Sequence, residues 1–282
     1  MIGTEVLLHG GLAWPESPRV HDGSLWFSDV HHFRVVRLAP DGTVANVAHV
    51  PGRPAGLGFM PDGRLLVAGA LDRKLWWVGP DGGLTLAADL SPLARGLLND
   101  MIVDGQGRAW VGDTGFDLLK GEPEAPGRLI SWRPGVEARV AVESVRFPNG
   151  LAMSPDHRSL FLAETFGECV TALQLSPDGT VVGRATHARL AARPDGLCLD
   201  SEGGLWVALL WDGKFRYIDP SGLAREEIVL DGERAISCVL AGEDRRELVM
   251  GTAHMDETDK ANPRRDGRLR RCRVALAGAG IP

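Results

Sequence analysis

The sequence lacks several things, and each shortage closes off a class of function. No apolar run is long enough to span a membrane. The opening stretch MIGTEVLLHGGLAWPE carries no basic segment, and its apolar run is too short for a secretory signal. Basic charge is not in excess. There are 31 Lys and Arg against 37 Asp and Glu, a net charge of −6, and no basic stripe with interleaved aromatics, which argues against a nucleic-acid surface. The one basic run, RRDGRLRRCR at 264–273, alternates with apolar residues and reads as an edge strand. Cys169, Cys198, Cys238 and Cys272 form no C-x-x-C pair, so reduced, mostly buried thiols are expected. H-E-x-x-H, G-x-S-x-G, P-loop and EF-hand patterns are all missing. The expected compartment is the cytoplasm, the expected partner a small molecule, with no nucleic acid and no membrane. The expected state is a monomer or weak dimer.

What the sequence has is a repeat. An apolar run, a turn with Asp or Gly, and a second apolar run recur six times: PRVHDGSLWFSDV, LGFMPDGRLLVAGA, MIVDGQGRAWVGDT, LAMSPDHRSLFLAET, LCLDSEGGLWVALL and CVLAGEDRRELVMGTA. Their spacing is about 40 to 52 residues, that of a four-stranded propeller blade. Each copy is followed by a further strand, and five of those run into a second PDG-type turn. The pattern predicts an all-β fold, a six-bladed β-propeller, with residues 1–282 forming a single domain. The last blade lacks one strand, and TEVLLHG at 4–10 is a spare one, so the N-terminal strand is expected to close the last blade. A pair of β-sandwiches would also use short strands, but the matched turns and the period favour the propeller.

Antiparallel strands place the tight Asp-Gly turns at one end and the longer, more variable loops at the other, where a site is expected. Six residues enter the innermost strands at that end: Glu16, Ala55, Asn99, Asn149, Asp195 and Ser237. In four cases a proline stiffens the approach. Four oxygen-bearing side chains thus share one register, although Asn and Asp also shape turns. Two carboxylates crowded at a propeller mouth repel one another, and a divalent cation resolves the conflict. An all-oxygen set suits Ca²⁺, Mg²⁺ or Mn²⁺ better than a thiolate or imidazole site would, with Zn²⁺ and Fe²⁺ still admissible.

The segments NDMIVDGQGRAWVGDT, FPNGLAMSPDHRSLFLAETF and RPDGLCLDSEGGLWVA resemble the gluconolactonase/regucalcin (senescence marker protein) family of six-bladed, calcium-dependent lactonases. The resemblance implies one divalent metal ion held by Glu16, Asn149 and Asp195. It implies Asn99 beside the metal in contact with substrate or water, and Asp195 as general base. Three departures stand out. Ser17 replaces the usual Gly, Leu97 occupies the place of an arginine found in sugar-binding members, and a sugar-contacting glutamate has no clear match, with Phe116 nearby. The expected activity is hydrolysis of a lactone, either a sugar lactone or a less polar one. A phosphotriesterase-like hydrolase or a non-catalytic binding propeller are the alternatives.

Rim candidates come from the longer loops. Phe116, Phe166, Trp211 and His254 are the expected substrate contacts, together with Asn99. His31 and His32 read equally as solvated loop residues, and Asp113 and Glu164 as acceptors for nearby backbone amides. The loop 252–266, with Met255, is a possible lid.

Overall fold

The computed structural model describes residues 2–254 and 265–279. Six four-stranded antiparallel sheets are arranged as a six-bladed β-propeller. The innermost strands are Pro15–His21, Pro54–Phe59, Leu98–Val103, Pro148–Met153, Pro194–Leu199 and Arg234–Ala241, and each touches the one before and the one after it around a closed ring. The last blade takes its outermost strand, Val6–Leu12, from the N-terminal side, paired with Gly267–Arg273. That is the closure expected from the repeat count, shifted by two residues. No described helix is long and apolar enough to cross a membrane.

The turn aspartates explain why the repeat is visible. Asp104 Oδ1 accepts from the Gln106 and Arg108 amides at 2.9 Å, and Asp200 Oδ1 from Glu202 and Gly204 at 2.8 and 2.9 Å. These side chains imitate a backbone turn. Asp22 differs, since it adopts a φ of 47° itself and pairs with His21. Between blades, the facing sheets interdigitate apolar side chains. Trp110, Leu129 and Val145 of the third blade, for example, meet Leu151, Leu160 and Leu162 of the fourth.

A second set of acids holds the loops at the opposite end. Asp29 Oδ1 accepts from the Ala13 and Trp14 amides at 2.9 and 3.1 Å, and Asp113 from Arg95 and Gly96 at 2.9 and 2.7 Å. Glu164 accepts from the Arg146 amide, Thr171 and Arg184. Each acid ends a second strand and clasps the segment entering the first strand of its own blade. Asp113 and Glu164 therefore bond backbone amides rather than substrate, and His32 is spent on Asp29 at 2.7 Å.

All six innermost strands share a one-residue bulge near their entrance, for instance between Leu98 and Met101 and between Pro148 and Leu151. A bulge bends the strand and re-aims a side chain. Following the pairing corrects one sequence expectation. Ala235 lies opposite Thr252 just as Leu98 lies opposite Asp113, so the last blade's ring residue is Ile236 and not Ser237. The extra residue sits where a turn-based alignment counts past it.

Ser237 belongs one step along, with Ser17, Gly56, Asp100, Gly150 and Gly196. Here neighbouring strands nearly touch. A Cβ on Gly56 would lie 2.2 Å from the Met101 nitrogen, on Gly150 2.6 Å from the Asp195 oxygen, and on Gly196 2.6 Å from the Ser237 Cα. Gly150 of the PNG at 148–150 and Gly196 of the PDG at 194–196 are thus required for close backbone approach, not for a turn. Ser17 pays for its side chain with a φ of 52°. Its hydroxyl compensates by donating to Asp100 Oδ1 at 2.5 Å and accepting from the Leu57 amide at 3.0 Å, tying three blades together.

Replacing Gly150 with Ala should cost about 1–3 kcal/mol through overpacking. Gly10→Ala, where a Cβ meets nothing within 4 Å, should be close to neutral. The midpoints of urea unfolding check both, and equal midpoints would contradict the close-approach account.

Candidate active site at the propeller mouth

The bulged entrances bring Glu16, Asn99, Asn149 and Asp195 to one end of the ring, in the first, third, fourth and fifth blades. Asn149 and Asp195 are buried, at 5% and 2% exposure. Asn149 Nδ2 donates to Thr165 Oγ1 at 3.2 Å, and Thr165 donates onward to the Pro194 carbonyl at 2.8 Å, which fixes the amide against the neighbouring blade. Its Oδ1 is buried with no hydrogen-bond partner, and so is Asp195 Oδ1. Glu16 Oε1 accepts from the Trp14 indole at 2.8 Å.

Burial pushes the Glu16 carboxyl well above the ordinary carboxylate range. The negative charges of Asp195 and Asp100 add to the rise, while the Trp14 bond and the Arg53 guanidinium oppose it. Asp195 is raised well above its ordinary value too, by burial first and then by Asp100, with the Asn149 amide pulling the other way. Asp100 has its own counter-ion: Arg19, itself buried, donates to Asp100 Oδ1 at 2.9 Å and to the carbonyls of Leu57, Pro18 and Met101. The mouth therefore concentrates two under-bonded acids above one fully paired salt bridge.

Buried oxygens without donors are costly, and buried carboxylates more so, unless something positive meets them. Among the described residues no group of three or more His, Cys, Asp and Glu could hold a metal ion. The ring offers instead two carboxylates and an amide carbonyl, an all-oxygen set whose orphaned Asn149 Oδ1 and Asp195 Oδ1 fit a hard divalent cation.

Beside Glu16 lies a pocket with about 590 Å³ of empty space, open mouth included. Its polar walls are Glu16, Arg53, Asn99 and Asp100. Trp14, Val30, Leu97, Leu118, Leu119 and Phe147 supply apolar surface. Asn99 Nδ2 donates to the Pro148 carbonyl at 3.0 Å, which fixes the amide's orientation and leaves Oδ1, an acceptor, for the pocket.

The other expected substrate contacts fall differently. Phe116 and Phe166 are not in the pocket wall but back Phe147, at ring separations of 5.7 and 4.9 Å. Trp211 is 48% exposed on the fifth blade, stacked by Arg193 and Arg234. His254 lies 3.6 Å from Glu233. Neither Trp211 nor His254 lines this pocket. Met255 and most of the loop proposed as a lid lie outside the described residues. Sequence reasoning overlooked Trp14, Arg53 and Arg19. The first two occupy the position just before the ring proline, so the same alignment could have found them.

Without a cation, Glu16 and Asp195 favour the protonated form when folded, so the unfolded chain binds fewer protons above the ordinary carboxylate range. Their contribution is present at acid pH and lost as pH rises through the raised folded values. In chelator, wild type should therefore lose stability relative to Asp195→Asn as pH rises above the ordinary carboxylate value of about 4. An added divalent cation should close the gap. Thermal unfolding across a pH series measures this, and a gap independent of pH would contradict it.

A family description, SMP-30/Gluconolactonase/LRE-like region, matches residues 14–254. The chain is 28% identical over 274 residues to a 6-deoxy-6-sulfogluconolactonase from Pseudomonas putida, covering 93% of this chain and 91% of that one. It is 28% identical over 205 residues to regucalcin from Danio rerio, covering 70% and 68%. In structure it is similar to a calcium-binding protein, regucalcin, from Agrobacterium tumefaciens, with a TM-score of 0.82, 21% identity and coverage of 99% and 95%.

Proposed function

The chain belongs to the SMP-30/gluconolactonase/LRE-like family, and on that premise we propose that it is a lactonase: a metal-dependent hydrolase that opens a lactone to its hydroxy acid. One observation carries the reading. The buried Asp195 and Asn149 and the half-buried Glu16 converge at the propeller mouth, with Asn149 Oδ1 and Asp195 Oδ1 unbonded. The names of relatives as lactonases support the reaction class, and the name of a structural neighbour as calcium-binding supports the cation.

Glu16, Asn149 and Asp195 would hold the cation, with Ca²⁺ favoured by the all-oxygen set and Mg²⁺, Mn²⁺, Zn²⁺ or Fe²⁺ as alternatives. When bound, the cation supplies a Lewis acid for the lactone carbonyl. The chain does the rest. Trp14 pins Glu16 by one oxygen and leaves the other free. Asn99 offers Oδ1, which receives a hydrogen bond from a water or hydroxyl and cannot donate to a carbonyl. Asp195 would accept a proton from the attacking water at the carboxylate oxygen not given to the cation. Water adds across the acyl C–O bond, and the proton passes to the departing ring oxygen. The apolar wall of Trp14, Leu97 and Phe147 limits competing water.

With chelator-stripped protein and each divalent metal restored in turn, proton release should report turnover of a lactone panel. Asp195→Asn should lower kcat by about 10²–10⁴-fold. No turnover of any lactone with metal demonstrably bound would overturn the proposal.

A further inference from the structure

The pocket beside Glu16 contains a cation that the mechanism above leaves unused. Arg53 enters from the second blade at a φ of 63°, immediately before Pro54. Its backbone is fully engaged, since the amide donates to the Val50 carbonyl and the carbonyl accepts from Ala70. Its guanidinium makes no hydrogen bond or ion pair with any described residue, and Nε is buried with no partner at all. Burial lowers its pKa, yet an arginine stays charged under any ordinary condition.

Charge counting shows what this leaves open. Asp100 is neutralised by Arg19 at 2.9 Å. Asp117, which feels Arg53 at longer range, is spent on the Leu119 and Lys120 amides and on the Lys120 ammonium at 2.9 Å. Glu16 and Asp195 either stay protonated or face a divalent cation. In both states the pocket holds one surplus positive charge, with a planar fork of donors and mostly apolar walls.

We infer that the substrate of this site is an anionic lactone whose oxyanion group, a carboxylate or its like, is received by Arg53. This rests on the lactonase reading and narrows it. The lactone carbonyl lies toward Glu16 and Asp195, and the substrate's charge toward the second blade. The third-blade side of the pocket is lined by Leu97 and Leu98, and Arg53 is the one basic residue among the described residues of its wall, so a substrate's charge is met from the second blade.

The test uses two lactones of one ring skeleton: gluconolactone, which carries a hydroxymethyl group, and glucarolactone, which carries a carboxylate there. Wild type with metal restored should prefer glucarolactone. Arg53→Gln should lose about tenfold to a hundredfold in kcat/KM on glucarolactone and under about threefold on gluconolactone, with Arg53→Lys in between. Parallel loss on both substrates, or none, would overturn the inference and leave Arg53 as a counter-charge to Glu16. Calorimetric titration of the ring-opened acids, glucarate and gluconate, separates this from the parent reading. If neither lactone turns over, lactone hydrolysis fails. Glucarate binding at least about tenfold weaker in Arg53→Gln still sustains an anion site, whereas equal binding or none overturns it.

Discussion

The feature on which the mouth of this propeller depends is the near contact between the backbones of adjacent innermost strands. Gly56, Gly150 and Gly196 let neighbouring chains come within a distance that no side chain would permit. That contact holds Asn149 and Asp195 on adjacent strands with little room to retreat. Two acids that repel each other and are deprived of water would otherwise move apart or turn outward. The rigid ring prevents both, so the unfavourable electrostatics persist as a property of the folded state. Such a locally destabilised arrangement is what a cation or a substrate can relieve.

The surrounding acids show that position, not residue type, decides what a carboxylate does. The turn aspartates at the far end, such as Asp104 and Asp200, imitate backbone. Asp29, Asp113 and Glu164 clasp the entry segments. Asp100 is absorbed by Arg19 and Ser17. Among the described residues, only Glu16 and Asp195 have carboxyl pKa values pushed well above the ordinary range. Each group is exposed to a different balance of solvation and hydrogen bonding, and the chemistry follows from that balance.

Much of this was legible in the sequence because it is periodic. Six turn aspartates mark six blades, and in all but Asp22 the regularity comes from side chains bonding their own turn's backbone, a local effect that needs no knowledge of the fold. Glu16, Asn99, Asn149 and Asp195 stand out for the same reason, as they share one register. Ser237 is misplaced by one residue because the last blade's first two strands run one pair further before their turn, to Ala241 opposite Glu247, so counting back from the turn stops one residue short. Arg53 escaped notice because its importance lies in missing partners, and partners are a tertiary property. The function of Ser17 could be read only partly. Its substitution for glycine is visible, but the hydrogen bonds that reward the strained φ come from Leu57 and Asp100, distant in sequence. Trp211 and His254 looked like pocket residues because they lie on the correct end, yet sequence cannot say on which side of the ring a residue stands.

The closing strand carries one more consequence. Val6–Leu12 completes the last blade, and Glu16 follows it by only a few residues, while Asp195 belongs to the fifth blade. The acids that face each other are therefore separated by most of the polypeptide and meet only after the circle is joined. Glu16 comes early in the chain, whereas Asp195 and the sixth blade that receives the first strand come much later. The oxygen ring is in this sense a seal on the finished circle: it is complete only when the first and last blades meet, and an open circle would present Asn149 and Asp195 without Glu16.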